Sequence, residues 1–494
     1  MLLVAALLLA FDPPGYFGGR WDDGRYLEAA LAWVAGGSTL GTNHWALRWP
    51  VVLPAAAAIE LFGRTRVALM VPGVLVFGAL LSIVFWAARH RFGVVSAMLA
   101  TLALATTSEV LLSGTRLTAD LPEVLFWVAG AAAFSVASRR TGRAQIASLI
   151  GCGIATGLAW AVRETSGTLP LALGIAFAVA PGVPRRRFGW IALGFLAVFL
   201  PEQVALWQAS SDPLYRLHVD MRHIEIPSTN LRGLVAPGEA PALNPELMAR
   251  WKGVGPIHLH YLVDPWINLF LNGRYGLDFL IAGLAVFIAR HQLTRHQWRA
   301  IGVLAGLAAL HITFIVYVIA TDPKARMFMP SIVAGCLILG IAVPHAWAAR
   351  HGRAWLSALA VSKLLLLLVT MNLDVQNSQY AATARTLLAR YEGPVHANVW
   401  TGSMLALAAP EVRERLRLEP VPVGELWLSA GRLGDPNGDA LPDPAYRWQL
   451  VARQPAARTP VIVAMGARLA PPGGPLDKLI VASTPAITLY RRIR

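Results

Sequence analysis

Charge is what this chain has least of. Aspartate, glutamate, lysine and arginine make up 14% of its 494 residues, against about 25% in an ordinary soluble domain. Cysteine is nearly absent: Cys152 and Cys336 both fall in apolar runs, with no metal-ligand spacing and no paired framework, and read as packing residues. No glycine-rich phosphate loop or dinucleotide fingerprint stands beside a strand, which removes the usual signs of a nucleotide-sugar site. No internal repeat suggests two transporter halves. Residues 1–11 lack a basic leader and a small-residue cleavage site. They are expected to be an uncleaved first span, although a full span takes about 20 apolar residues.

What remains is apolar. Hydrophobic residues make up 56% of the chain and the mean hydropathy is +0.52, which predicts a polytopic membrane protein. The net charge of +15 then points to anionic headgroups and phosphorylated lipids, and away from nucleic acid. After 1–11, spans are expected at 66–88, 92–112, 119–137, 146–161, 169–180, 188–207, 275–289, 301–320, 327–349 and 354–371, with interfacial helices near 27–34 and 51–62. Five basic clusters lie in alternate loops, around Arg89, Arg139, Arg185, Arg290 and Arg350. They fall in phase only with eleven spans and a cytoplasmic start, because cytoplasmic loops retain Lys and Arg. That phase puts loops 12–63 and 208–265 and the tail outside. Residues 1–371 are therefore expected to form the membrane domain and 372–494 a small α/β domain, with strands at 395–400, 461–465, 479–482 and 487–490 and helices at 381–391 and 403–409.

The polar residues left at the outer ends are few. Asp22, Asp23, Arg25 and Tyr26 open the first outer loop, His44 and Arg48 follow, Asp120 precedes one span, Arg163 and Glu164 separate two, and Lys324 and Arg326 precede another. If a helix starts at Asp22, Arg25 and Tyr26 share its face. Charges so near the hydrocarbon are costly unless paired or used, and outer cations run against the positive-inside bias. Carboxylates among guanidinium and ammonium groups suit a site where a phosphate departs and a hydroxyl or amine attacks: the acid takes the proton and the cations stabilise the leaving charge. The bland alternatives are a helix cap for Asp22 or Asp120, a local ion pair for Arg163 and Glu164, interfacial snorkelling for Lys324 and Arg326, and packing for His44. No diagnostic spacing fixes a metal, although the outer acids could hold a divalent cation such as Mg or Mn.

Three stretches in order, Trp21-Asp22-Asp23-Gly24-Arg25-Tyr26, His44 to Pro50 leading to Glu60, and Leu117-Thr118-Ala119-Asp120-Leu121-Pro122, together with Arg326-Met327-Phe328-Met329-Pro330, resemble landmarks of the GT-C glycosyltransferases. The nearest branch holds protein O-mannosyltransferases and the aminoarabinose transferase of lipid A. The resemblance implies transfer of a sugar from a polyprenyl-phosphate carrier to a lipid, glycan or protein acceptor at the outer face, in a bacterial inner membrane with its site in the periplasm. By position it makes Asp22 the catalytic acid-base residue, puts Asp23 where the family has Glu, and gives Arg25 a role at the donor phosphate and Asp120 that of the second acid. Lys324, Arg326 and Arg163 are expected to help hold phosphate, and His44, Arg48, Tyr26 and Glu164 to line the acceptor side. The 208–265 loop, with Asp212, Asp220, His223, His258 and His260, is a candidate lid or acceptor wall. A lipid transporter or a noncatalytic binder of lipid-linked sugar are the rival readings.

Overall fold

The computed structural model describes residues 22–36, 43–179, 182–224, 263–319, 325–397, 415–418, 421–429, 445–455, 474 and 486–494. The expected first span, Lys324, His258, His260 and the tail elements expected at 403–409, 461–465 and 479–482 lie outside them. In chain order the helices are α1 (Asp22–Val34), α2 (Trp49–Phe62), α3 (Arg66–Phe92), α4 (Val94–Ala105), α5 (Ser108–Ser113), α6 (Asp120–Ala137), α7 (Gly142–Val162), α8 (Thr168–Val179), α9 (Gly189–Ser210), α10 (Tyr215–Ile224), α11 (Asp264–Leu271), α12 (Gly276–Ala289), α13 (Arg295–Thr313), α14 (Met329–Ala348) and α15 (Gly352–Leu388).

Among the described residues six helices are long and apolar enough to cross a membrane, or seven if α11 and α12, bent by 94°, count as one span. Their outward surface fits lipid: Leu193, Leu196, Leu200, Val204 and Trp207 of α9 are all exposed, a patch that water would penalise. The chain is an integral membrane protein. The expected span 92–112 is broken into α4 and α5, because Thr106 and Thr107 turn their hydroxyls back onto the carbonyls of Leu102 and Ala103 and compete with the helix ladder there. Residues 169–180 form only the short α8, entered through a 3-10 turn at Glu164–Gly167. Conversely, the elements expected at 354–371 and 381–391 are one helix of 37 residues, α15. Nothing between Gly352 and Leu388 is a glycine or proline, so no breaker stops the helix at the polar stretch 372–380.

Small residues let the helices close up. A Cβ at Gly153 of α7 would meet the Ile191 carbonyl at 2.0 Å, and one at Gly194 of α9 would meet that of Ile150 at 2.2 Å, so these two backbones touch directly, as small residues permit in membrane bundles. Polar contacts mark the two ends of the bundle. At one, Gln145 at the start of α7 donates to the carbonyl of Ala137 at 2.8 Å, and Arg187 and Arg91 reach Gln145 and Ser135. At the other, the start of α6 meets the end of α7 and the segment before α14. The basic clusters occupy the first end and the acids at Asp22 and Asp120 the second.

The end of α15 carries a five-stranded sheet in the order β2-β1-β3-β5-β4, from β1 (Val395–Ala397), β2 (Leu416–Leu418), β3 (Leu426–Ser429), β4 (Trp448–Pro455) and β5 (Ala486–Arg492). β1 pairs in parallel with β2 and β3, while β5 runs antiparallel to β3 and β4. Ala384, Leu387 and Leu388 of α15 pack on Val395, Leu428, Ile487 and Leu489 of the sheet.

Candidate active site

The site begins where α1 begins. Asp22 and Asp23 occupy its first turn, where unpaired amides favour negative charge, and Tyr26, Leu27 and Ala30 bury the helix against Val51, Val52 and Ala55 of α2. That packing fixes the Asp22 carboxylate between two donors. Trp45 Nε1 donates to Oδ1 at 2.8 Å, and Arg326 Nη2 reaches Oδ2 at 2.5 Å. Arg326 Nε also lies 3.9 Å from Asp120 Oδ1. Burial alone would raise the Asp22 carboxyl, but Arg326, Arg163, the Trp45 indole and Arg48 together hold it well below the usual carboxylate range.

Behind this pair stands a closed layer. Arg163 Nη1 donates to Asp120 Oδ1 at 2.7 Å and lies 3.5 Å from Glu123 Oε2. Glu123 Oε1 accepts the hydroxyls of Thr165 and Ser166, the latter at 3.0 Å. Asp120 and Glu123 are three apart in the first turn of α6 and so share a face. The Asp120, Glu123 and Arg163 side chains are 1%, 4% and 8% exposed, whereas Asp22 and Arg326 are 16% and 24% exposed. Of these five side chains, Asp22 and Arg326 are the more exposed.

Arg163 is extended (φ −162°) and ends α7, which sends the next side chain the other way. Glu164 accepts from Arg216 Nη2 at 2.8 Å and lies 3.6 Å from Arg48. Arg48 Nη1 in turn donates to the Tyr26 hydroxyl at 2.6 Å. Burial, with Asp22 nearby, pushes that hydroxyl up to about 12 despite Arg48, so it stays protonated. Arg216 of α10 also pairs with Glu202 and Asp220 and donates to the carbonyls of Trp160 and Ala161. A second charge network thus runs from α10 to the helix that bears Asp22.

The Arg326 segment is pinned from below. His311 Nε2 bonds the Met327 carbonyl at 2.8 Å and its Nδ1 meets the Thr168 hydroxyl at 3.0 Å. A neutral ring satisfies both only with the proton on Nε2. Ser331 adds a bond to the Ala308 carbonyl at 3.1 Å.

Of the residues expected at the site, Asp22, Asp120, Arg163 and Arg326 come together, and Tyr26, Arg48 and Glu164 form the adjoining network. Arg25 takes the exposed side of α1, 3.0 Å from Glu28 and 6.0 Å from the Trp45 ring centroid. Asp23 is buried and accepts its neighbour's amide, Gly24 N–H, at 3.1 Å. His44 lies against Trp45 with the rings tilted by 32° and their centroids 3.7 Å apart. The expected local pairing of Arg163 with Glu164 is replaced by opposite partners. Glu123, Trp45, Arg216 and His311 were not singled out by the sequence; of these only Glu123 had a signal, its spacing from Asp120. Among the described residues no group of three or more His, Cys, Asp or Glu is arranged to hold a metal. The space between Asp22 and Asp120 is taken by the Arg326 guanidinium.

Comparison with solved structures decides the fold. ArnT from Cupriavidus metallidurans, bound to undecaprenyl phosphate, aligns over 99% of this chain and 96% of ArnT with a TM-score of 0.52 at 14% identity. The chain has a GT-C fold. AglB from Archaeoglobus fulgidus, an oligosaccharyltransferase solved with an inhibitory peptide and a dolichol-phosphate, aligns over 86% of this chain and 64% of AglB, with a TM-score of 0.50 at 12% identity. The family model described as dolichyl-phosphate-mannose-protein mannosyltransferase matches residues 48–207. Within the GT-C fold that stretch carries Arg48, Asp120, Glu123, Arg163 and Glu164, and leaves out Asp22 and Arg326. No curated protein matches the chain.

Proposed function

We propose that this chain is a glycosyltransferase that moves a sugar from a polyprenyl-phosphate donor to an acceptor hydroxyl or amine, with Asp22 as general base. The observation that carries the reading is the contact between a partly exposed carboxylate and a partly exposed guanidinium, Asp22 and Arg326, at the end of the bundle opposite the basic clusters. The acceptor O–H or N–H would give its proton to Asp22 as its heteroatom bonds the sugar C1. The C1–O bond to phosphate breaks, and Arg326 balances the charge that gathers on the departing polyprenyl phosphate. Asp120, Glu123 and Arg163 hold the base layer in place, and Arg25 and Lys324 are further cations for the phosphate. Tyr26, His44, Arg48 and Glu164 would border the acceptor.

The positive-inside bias supports a cytoplasmic location for the basic end, and so an outward site with residues 372–494 on the same side as an α/β domain. In bacteria that side is the periplasm. The GT-C fold and the ArnT structure with undecaprenyl phosphate support a lipid-linked donor. Purified full-length protein in lipid nanodiscs with polyprenyl-phosphate sugars tests the reading: acceptor-dependent release of polyprenyl phosphate supports transfer. Movement of intact donor across a bilayer without cleavage would favour a transporter, and binding without either a noncatalytic receptor.

A further inference from the structure

Both oxygens of Asp22 are engaged, Oδ1 by the Trp45 indole at 2.8 Å and Oδ2 by Arg326 at 2.5 Å. A carboxylate held in this way offers an acceptor hydroxyl no strongly basic oxygen, since the charged donor on Oδ2 stabilises the unprotonated form. Each oxygen keeps a second lone pair, and moving the charged donor away from Oδ2 would raise its basicity. The three arginines around the site differ in how easily they could move. Arg163 is tied to Asp120 and Glu123, and Arg48 to Tyr26 and Glu164. Turning either away would strand a buried acid or hydroxyl. Arg326 is the most exposed of the three. Its second carboxylate, Asp120, lies 3.9 Å away and already accepts Arg163 at 2.7 Å. Only Asp22 would lose its principal ion pair if Arg326 turned. Met327 and Ser331 are each anchored by a hydrogen bond, so a turn of Arg326 needs only its side chain to move.

We propose that Asp22 and the phosphate of the lipid-linked donor compete for Arg326, so that donor binding frees the base. A phosphate offers more acceptor oxygens than a carboxylate and suits a guanidinium fork. Once Arg326 faces it, Asp22 Oδ2 opens to the acceptor. In transfer, the acceptor heteroatom bonds C1, the C1–O bond breaks with its electron pair on the phosphate oxygen, and the acceptor proton moves to Asp22. The freed polyprenyl phosphate carries more charge than the donor did, which keeps Arg326 engaged. Departure of the product returns Arg326 to Asp22, and the base is quenched between turnovers. The donor must therefore bind before the acceptor is activated. This inference rests on the polyprenyl-phosphate donor proposed above.

Equilibrium binding of undecaprenyl phosphate to the full chain in nanodiscs tests it in four forms: wild type, Asp22→Asn, Arg326→Gln and the double variant, with thermal unfolding as a folding control. Asp22→Asn should bind about tenfold more tightly than wild type, the order expected for losing a competing charged pair, although it should be slow in transfer. Arg326→Gln should bind more weakly, and adding Asp22→Asn to it should change nothing further. Equal binding by wild type and Asp22→Asn overturns the competition. So does tightening that persists in the Arg326→Gln background, which would mark general charge repulsion. If none of the four forms binds, the donor assignment itself falls, an outcome distinct from wild-type binding that ignores Asp22.

Discussion

The proposed base, Asp22, is held in its unprotonated form. Its carboxyl sits below the usual range because burial is outweighed by Arg326, Arg163, the Trp45 hydrogen bond and Arg48. Asp22→Asn keeps the shape and the Trp45 contact but cannot accept a proton. It should slow transfer by about 10²–10⁴-fold, the usual worth of a general base, as read from single-turnover release of polyprenyl phosphate. Arg163 has a different importance. Arg163→Met leaves Asp120 and Glu123 buried without their cation, and unfolding in detergent should become easier by about 3–5 kcal/mol. Asp22, Asp120 and Arg326 were legible in the sequence as polar outliers next to apolar runs. Trp45 and His311 were not, because a tryptophan at an interface and a histidine in an apolar helix both have commoner packing roles. Their bonds to Asp22 and Met327 exist only once distant segments meet.

Among the described residues, Arg216 is the side chain that ties helix α10 to the bundle by charge. Arg216 draws together Glu202 of α9, Glu164 after α7 and its own neighbour Asp220. Burial and the Glu164 carboxylate push Asp220 up to about 8, against the pull of Arg216 and Arg48. A carboxyl raised in the folded state binds its proton more tightly there than in the unfolded chain. Its contribution to the attachment is therefore complete below its ordinary value of 3.8 and is lost as pH rises through about 8. Amide hydrogen exchange in 215–224, corrected for the intrinsic rate, should accelerate over that window, and Asp220→Asn should flatten the dependence. The contact between α7 and α9 gives a sterner case: Gly153→Leu must force apart backbones that touch, and the variant should lose folded yield on size-exclusion chromatography. Long apolar elements such as α3, α6 and α14 were legible from hydropathy. The break at Thr106 and Thr107 was not, because it depends on hydroxyls choosing backbone carbonyls. In the sheet, β2 and β3 are three and four residues long, too short for alternation to register.

At the scale of the molecule, charge is sorted between two ends. The native thiols of Cys152 and Cys336 are fully buried, so an added cysteine reports its own location. Glu60→Cys, beside the site end, should react with an impermeant maleimide from outside intact cells, while Arg140→Cys should react only after the membrane is opened. The reverse pattern would invert the assigned topology. The unbroken α15 is 37 residues long, about 55 Å at 1.5 Å per residue, against a hydrocarbon layer of about 30 Å. Its last turns form part of the sheet's own core, so no swivel separates the two. The helix is a lever. With residues 354–371 as the expected span, a change in bilayer thickness that tilts that part by about 10° would carry the far end, about 25 Å beyond the hydrocarbon, through roughly 4 Å. The lipid around the bundle would thereby shift the position of the sheet without touching it.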